Sequence, residues 1–202
     1  MPVDLRSDTL SQPTPGMLEA MSNARVGDDV FGEDPTVNLL EQQAASLFGM
    51  EAALYCTSGT QSNQIAIKAH TQPGEEVVCE KTSHIYLYEA GGIAFHSGCQ
   101  VKLLEGDRGR IRAEQIADAI NPDDVHKPAT RLVSLENTAN RGGGSCYSTK
   151  EIEAIRQTCD EHQLTLHLDG ARLFNALIAT RESPKNIGRL FHSISICLNK
   201  GL

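Results

Sequence analysis

Apolar strand-like runs alternate with helix-like segments along most of this chain, and this alternation constrains the fold more than any other feature. The strand-like runs are residues 52–56, 76–79, 100–104, 131–135, 165–168 and 194–198. The segments with helical spacing of apolar side chains are residues 17–21, 36–48, 61–70, 113–120 and 149–161. Strands separated by helices pair in parallel, and the helices cover both faces of the sheet. The sequence therefore predicts an α/β fold with a mostly parallel sheet.

The length and the charge of the chain limit the size of its core and the kinds of partner it can bind. The chain has 202 residues, of which 40% are hydrophobic, and this is enough for one large α/β core. Its formal net charge of -8 disfavours nucleic acid or an anionic membrane as a partner. No apolar run reaches the length of a membrane span, and no basic stretch precedes an apolar N-terminal segment. We therefore expect a cytoplasmic protein with no nucleic-acid and no membrane partner.

The six cysteines and seven histidines show no spacing that is typical of a metal site. Cys56, Cys79 and Cys197 lie in or beside apolar runs that resemble buried strands. This distribution predicts reduced thiols in a cytosolic protein. The sequence indicates no bound metal.

Small and hydroxyl-bearing residues fill the turn 57–63, which lies between a predicted strand and a predicted helix. Ser58 and Thr60 can donate their hydroxyls to a phosphate, and Gly59 lets the backbone approach it closely. The N–H groups at the start of the following helix favour an anion at the same place. A turn of this composition can also be an ordinary connection, so a phosphate site is one of two interpretations.

Two histidines are candidates for proton transfer. His84 lies in a polar segment that follows a predicted strand, and His126 lies in the loop-like segment 122–126. An imidazole can stack on a planar ring and can exchange protons near neutral pH. Either residue can equally be a structural histidine that satisfies the polar groups of a loop.

An acid and an amine follow two predicted strands near the end of the chain. Asp169 follows the run 165–168, and Lys200 follows the run 194–198. A pyridoxal phosphate (PLP) enzyme needs a carboxylate beside the pyridine nitrogen of the cofactor and an amine for a Schiff base. Arg172 can pair with a substrate carboxylate or with the phenolic oxygen of the cofactor. In the alternative interpretation, Asp169 caps a helix and Arg172 is its ion-pair partner.

Seven ordered blocks of the sequence together resemble one known family. They are residues 4–9, 27–36, 58–63, 84, 136–138, 167–172 and 197–202. The combination resembles the aromatic amino acid β-eliminating lyase/threonine aldolase family, whose members are fold-type I PLP enzymes. The resemblance implies the three-layer large domain of PLP-dependent transferases, with a mostly parallel sheet that is incomplete at the C-terminus.

The resemblance also implies a division of the chain. Residues 1–30 would form an N-terminal arm, and residues 31–202 would form part of the PLP-binding large domain. Family members continue past the lysine into another core strand and a smaller C-terminal domain, which is absent from this sequence. We expect the chain to be only marginally stable alone, because a missing internal strand leaves backbone groups unpaired.

The resemblance assigns roles around the cofactor to residues of this chain. Lys200 would form the Schiff base, Asp169 would face the ring nitrogen, and His84 would stack on the ring. Arg172 would be a further contact to the cofactor. The phosphate would be held by Ser58, Gly59 and Thr60.

The implied reaction is the retro-aldol cleavage of L-threonine or L-allo-threonine to glycine and acetaldehyde. Ser7 and Arg172 would lie near the carboxylate of the amino acid substrate. The catalytic candidates are Lys200, His84 and His126. Either histidine or an ordered water would accept the proton of the β-hydroxyl group. A homodimer or homotetramer is implied as well.

Two positions depart from the family pattern. Asn199 stands where serine usually precedes the lysine, and Ala139 stands where histidine is common. Two other functions stay open. The chain can be a catalytically inactive truncated fragment, or it can belong to another PLP-dependent lyase that acts at Cα or Cβ of an amino acid, because one electron sink serves several reactions.

Overall fold

A sheet of five parallel strands forms the centre of the computed structural model, which describes residues 4–201. The strands are β1 (Glu76–Glu80), β2 (Gln100–Leu104), β3 (Thr130–Glu136), β4 (Thr165–Gly170) and β5 (Ser193–Ile196). Their order across the sheet is β2-β1-β3-β4-β5. This sheet confirms the predicted α/β fold class. Residues 1–3 of the predicted arm and Leu202 at the end of the last motif lie outside the described residues.

Helices cover both faces of the sheet, as predicted. They are α1 (Pro15–Ser22), α2 (Pro35–Phe48), α3 (Gly59–His70), α4 (His84–Leu87), α5 (Ala113–Ala119), α6 (Thr149–Glu161), α7 (Leu173–Thr180) and α8 (Pro184–Gly188). Shorter turns of helix occur at Asp8–Leu10, Asp29–Phe31 and Ile93–Ser97. The spacing of apolar residues did not predict α7 and α8, which follow the Asp169 motif.

Alternate side chains of each strand enter two separate cores. On one face, Val77 and Cys79 of β1 pack with Ile67 of α3 and Ile85 of α4. On the other face, Val78 packs in a larger cluster with α5, α6, α7 and α8. The result is a helix–sheet–helix arrangement in three layers, as in the predicted fold.

Capping residues of the sequence set where the helices begin. Asp34 precedes α2, and its Oδ1 accepts hydrogen bonds from the backbone N–H groups of Thr36 and Val37 at 2.9 and 3.0 Å. Gly49 ends the same helix in the left-handed conformation with φ of 67°. Ser148 caps α6, and its Oγ accepts a hydrogen bond from the backbone N–H of Glu151 at 3.3 Å. Local chemistry therefore explains these helix boundaries.

The prediction of a strand at residues 52–56 is wrong. The segment is irregular and pairs with no strand of the sheet. The backbone N–H of Tyr55 donates to the Glu41 carboxylate at 2.6 Å, so a side chain satisfies it instead of a neighbouring strand. Cys56 and Cys197 also lie outside the strands and are only half-buried, whereas Cys79 is buried in β1 as expected.

The N-terminal residues form short helical pieces with little core of their own. The turns Asp8–Leu10 and Asp29–Phe31 and helix α1 contain no buried residue. This segment meets the sheet domain through polar contacts, among them a hydrogen bond from Thr36 Oγ1 to the Arg25 carbonyl at 2.6 Å. Within residues 4–201, no helix combines the length and the apolar character needed to cross a bilayer.

Candidate active site

Most of the predicted site residues gather at the carboxyl ends of the strands. Asp169 lies near the end of β4 and pairs in register with Glu136, the last residue of β3. His84 begins α4 just after β1, and Lys200 follows β5 by four residues. In a parallel α/β sheet this edge is where ligands bind. A pocket of about 810 Å³ opens there, and its lining includes Ser58, Gly59, Thr60, Asn63, His84, Asp169 and Lys200.

Asp169 is a buried carboxylate at the base of this pocket. Its Oδ2 accepts a hydrogen bond from Asn63 Nδ2 at 3.0 Å, and its Oδ1 accepts one from the Ala171 backbone at 3.2 Å. Burial, followed by the like charge of Glu89, raises the pKa of the Asp169 carboxyl group. Arg172 pairs with Asp8 and not with Asp169, so the alternative of a local Asp169–Arg172 ion pair is wrong.

His84 is held from two sides. Its ring Nδ1 lies 3.0 Å from Glu89 Oε1, and its backbone N–H donates to Glu136 Oε2 at 2.9 Å. The hydrogen bond to Glu89 raises the pKa of the imidazole, and the carboxylates of Asp169 and Glu136 add to this shift. The side chain keeps about 31% of its surface exposed, so the ring is accessible from the pocket.

Asn63 and Glu89 are site residues that sequence reasoning did not identify. Asn63 is the last residue of the predicted phosphate segment 57–63 and lies on α3, and its Nδ2 donates to both Asp169 and Glu89 at 3.0 and 2.9 Å. Its Oδ1 lies 3.2 Å from Nε2 of the buried His167. A polar residue one helical turn into a helix that follows a phosphate turn is a weak signal, because most such residues face solvent.

The N-terminus of α3 presents the predicted phosphate turn to the pocket. Ser58 is the capping residue, and its Oγ accepts a hydrogen bond from the Gln61 backbone at 3.1 Å. Gly59 and Thr60 form the first turn, whose N–H groups have no partner inside the helix. A Cβ at Gly59 would lie 2.7 Å from Cys197 Sγ, so only glycine fits this close approach without a shift.

Ser7 and Arg172 line a second, smaller cavity of about 350 Å³. Arg172 donates through Nε and Nη2 to the Asp8 carboxylate at 2.5 and 2.9 Å. Thr138 and Asn140, from the loop after β3, line the same cavity. The structure therefore brings together the two residues predicted to lie near a substrate carboxylate.

His126 is not brought to the pocket within this chain. It lies in an exposed loop, bonded to Asp124 at 3.0 Å, four residues before β3 begins at Thr130. That loop is at the amino edge of the sheet, whereas Asp169 and His84 are at the carboxyl edge. The two candidate bases therefore lie at opposite ends of the strands.

Three groups at the pocket have the chemistry of metal ligands. Ligand atoms of His84, Glu89 and Asp169 lie within 4.8 Å of one another. The sequence spacing does not predict this cluster, because Asp169 joins it from a distant strand. Asn63 donates to both carboxylates and His84 bonds to Glu89, so hydrogen bonds account for the proximity of the three groups.

Comparison with known proteins assigns a family. The model of the family described as beta-eliminating lyase matches residues 4–202. The low specificity L-threonine aldolase of Escherichia coli (strain K12) is 43% identical over 201 residues, which are 99% of this chain and 60% of that protein. The enzyme of the same description from Saccharomyces cerevisiae is 43% identical over 203 residues, which are 98% of this chain and 52% of the relative.

Solved structures agree with this assignment. A threonine aldolase from Leishmania major superposes with a TM-score of 0.81 at 28% identity, covering 92% of this chain and 55% of that one. A putative L-allo-threonine aldolase from Listeria monocytogenes shares the fold, with a TM-score of 0.77 at 24% identity. The chain spans about half to three-fifths of the length of these relatives.

Proposed function

The chain belongs to the beta-eliminating lyase family, and from this membership we propose that it forms the cofactor-binding part of a PLP-dependent aldehyde-lyase. The proposed reaction is the retro-aldol cleavage of L-threonine or L-allo-threonine to glycine and acetaldehyde. The observation that carries the proposal is the convergence of Lys200, Asp169 and the N-terminus of α3 on one pocket. The names of the relatives support this choice of substrate.

The residues of the pocket fit PLP. Asp169 is a buried carboxylate whose pKa is raised by burial, so its anion needs a cationic partner that a protonated pyridine nitrogen would provide. The N-terminus of α3 at Ser58 and Gly59 suits the phosphate. Lys200 would provide the amine of the Schiff base. When bound, PLP supplies an electron sink for a bond that breaks at the substrate Cα.

The remaining steps belong to side chains of the protein. Arg172, with Ser7 beside it, would bind the substrate carboxylate and so fix the orientation of the Cα–Cβ bond. His84 Nε2, or a water that it holds, would accept the β-hydroxyl proton while this bond breaks. The β-carbon becomes the carbonyl carbon of acetaldehyde, and a proton returned to Cα gives glycine. His126 has no part in this assignment, because it lies at the other edge of the sheet.

Trapping the Schiff base tests the proposal directly. The chain is mixed with PLP, reduced with borohydride and digested, and the pyridoxyl-lysine is located by peptide mass spectrometry. We expect the label on Lys200 and its loss in Lys200→Ala. Lys185→Ala, which changes a lysine of α8, is the matched control and should keep the label. Label spread over many lysines in the parent chain would contradict the assignment of the site.

Product analysis separates this reaction from other lyase chemistry in the same pocket. Glycine and acetaldehyde in equal amounts from L-threonine are expected in the protein that carries this domain. A keto acid with ammonia would indicate β-elimination instead, and label on Lys200 with no product would indicate a binding domain without turnover. A His84→Asn variant that binds PLP and keeps the full cleavage rate would exclude His84 as the base.

We further propose that the protein acts in the cytoplasm as a homodimer or homotetramer, with residues 1–30 as an arm on a partial large domain. Leu5, Val26 and Val30 in the arm, and Phe31 directly after it, expose most of their surface. Burying such side chains in a subunit contact would stabilise an oligomer. Light scattering that finds only monomer at micromolar concentration would contradict this proposal.

A further inference from the structure

Glu89 is a buried carboxylate beside His84 that the proposed reaction leaves without a role. We propose that Glu89 is a positioning residue, which holds the His84 imidazole with a proton on Nδ1 and so leaves Nε2 to exchange the substrate proton. This inference rests on the proposed function, in which His84 accepts the proton of the β-hydroxyl group.

Glu89 is a buried carboxylate, and one of its oxygens is unpartnered within residues 4–201. Glu89 keeps only 2% of its surface exposed, and its Oε2 has no hydrogen-bond partner among the described residues. Removing a carboxylate from water with one oxygen unpartnered lowers the free energy of unfolding. Buried ionisable groups of this kind cluster at functional sites, where their effect on neighbouring groups is used.

The orientation of the Asn63 amide follows from its neighbours. Asp169 and Glu89, as carboxylates, only accept hydrogen bonds, so Nδ2 of Asn63 must face both of them. Its Oδ1 then faces His167, whose Nε2 must carry a proton. Burial lowers the pKa of the His167 imidazole to about 3, so that ring is neutral and its Nδ1 accepts from Ser193. Each amide and imidazole in this chain of hydrogen bonds therefore has one assigned state.

The same argument fixes the proton on His84. Glu89 Oε1 accepts from Asn63 Nδ2 and can only accept from the imidazole, so His84 Nδ1 must be the donor across 3.0 Å. In a neutral imidazole the second nitrogen, Nε2, is then the proton acceptor. A carboxylate that orients a histidine in this way is a common support for a general base.

The charged groups around His84 come from several elements. Glu89 lies in the loop after α4, Glu136 ends β3, and Asp169 lies in β4, and all three favour the imidazolium. Lys200 lines the same pocket from the loop after β5. Of these groups, only Glu89 bonds to the ring itself, because Glu136 bonds to the His84 backbone. Removal of Glu89 alone should therefore change the tautomer of the ring.

The tautomer can be measured on the parent chain without PLP and without a variant. In the neutral range, the ¹⁵N shifts of an imidazole distinguish a proton on Nδ1 from a proton on Nε2. With ¹⁵N-labelled histidine, assigned by comparison with His84→Gln, we expect the Nδ1–H form to predominate at His84. A predominant Nε2–H form would overturn the proposal.

A variant then tests whether Glu89 acts on the His84 imidazole. Glu89→Gln should lower the apparent pKa of His84 in an NMR titration of the chain without PLP, because the hydrogen bond to a carboxylate is lost. Glu76→Gln is the matched control, since Glu76 is a buried carboxylate at the amino end of β1 that bonds to Asn121 and Gln100. An unchanged His84 titration in a folded Glu89→Gln chain would contradict the role of Glu89.

Kinetics of the protein that carries this domain separate the inference from the proposed function. In Glu89→Gln we expect kcat to fall about ten- to a hundred-fold, as for other groups that orient a functional histidine. The rising limb of the kcat–pH profile should move to lower pH, because the base loses its proton more readily. Borohydride labelling of Lys200 tests the cofactor site by itself, so a failed label with a normal His84 tautomer would contradict only the proposed function.

Discussion

Arg172 and Asp8 form a two-point ion pair across 164 residues of sequence, with N–O distances of 2.5 and 2.9 Å. The pair joins the N-terminal segment to the loop that follows Asp169. Arg172 uses Nε and one Nη2 proton in this contact, so its remaining guanidinium donors can still bind a carboxylate. Asp8 therefore orients the group that we propose for substrate binding.

Asp8→Asn should weaken substrate binding more than turnover. Without the anionic partner the guanidinium of Arg172 loses its fixed orientation, and we expect KM for threonine to rise about tenfold, equivalent to about 1.4 kcal/mol, with a smaller fall in kcat. Steady-state kinetics measure this split. Asp29→Asn removes an acidic side chain from the same segment and is the control. Equal KM values for both variants would show that the ion pair has no effect on the substrate.

The same ion pair predicts a dependence of stability on pH. The hydrogen bond from Arg172 holds the pKa of Asp8 below its usual value. A depressed carboxyl pKa stabilises the fold above the unfolded pKa of about 4, and this contribution is lost as the pH falls through the folded value. Denaturation should show the parent more stable than Asp8→Asn by about 1 kcal/mol at neutral pH. The difference should shrink towards zero in acid, and a constant difference would contradict this origin.

Asp169→Asn should separate stability from cofactor binding. Burial raises the pKa of Asp169, so its anion destabilises the chain without PLP at neutral pH. Removing the charge should raise the denaturation midpoint, while PLP binds more weakly because the ring nitrogen loses its partner. Asp118→Asn, at an exposed position of α5, should change neither quantity. A lower midpoint in Asp169→Asn would show that the carboxylate stabilises the chain through its hydrogen bonds.

Gly59→Ala should destabilise the start of α3 although alanine favours helices. The added Cβ would meet Cys197 Sγ at 2.7 Å, and such overpacking costs about 1–3 kcal/mol. The double variant Gly59→Ala/Cys197→Ala removes the colliding sulfur and should recover most of this loss. Gly16→Ala is the control, because among residues 4–201 no atom that the new Cβ could meet lies within 4 Å. If the double variant is no more stable than the single one, the contact is not the cause.

The sequence predicted the parts of this fold that depend on local patterns. The run at residues 100–104 and the helix at residues 149–161 match β2 and α6 at both ends, because apolar period and capping residues are properties of neighbouring positions. The strand expected at residues 52–56 does not form, because an apolar run becomes a strand only where another strand pairs with it.

The residues of the candidate site also fall into two groups, those that a local sequence pattern indicates and those that it does not. Lys200, Asp169 and the Ser58 turn lie close to strand or helix ends, and their motifs made them candidates. Asn63 and Glu89 act through contacts over 26 and 106 residues, and neither position has a local pattern that distinguishes it from a solvent-facing polar residue. His126 was a candidate by its residue type and by the family resemblance, and the topology places it at the other edge of the sheet.

The pocket draws its groups from distant parts of the chain, so no single segment of the sequence contains it. Ser58, His84, Asp169 and Lys200 meet only when β1, β3, β4 and β5 have paired in that order across the sheet. Parallel strands joined by crossover helices assemble slowly, because each pairing closes a long loop. If the chain binds PLP as we propose, we expect uptake of the cofactor to be a late event in folding. The rate at which a refolding chain gains PLP absorbance would then report when the sheet is complete.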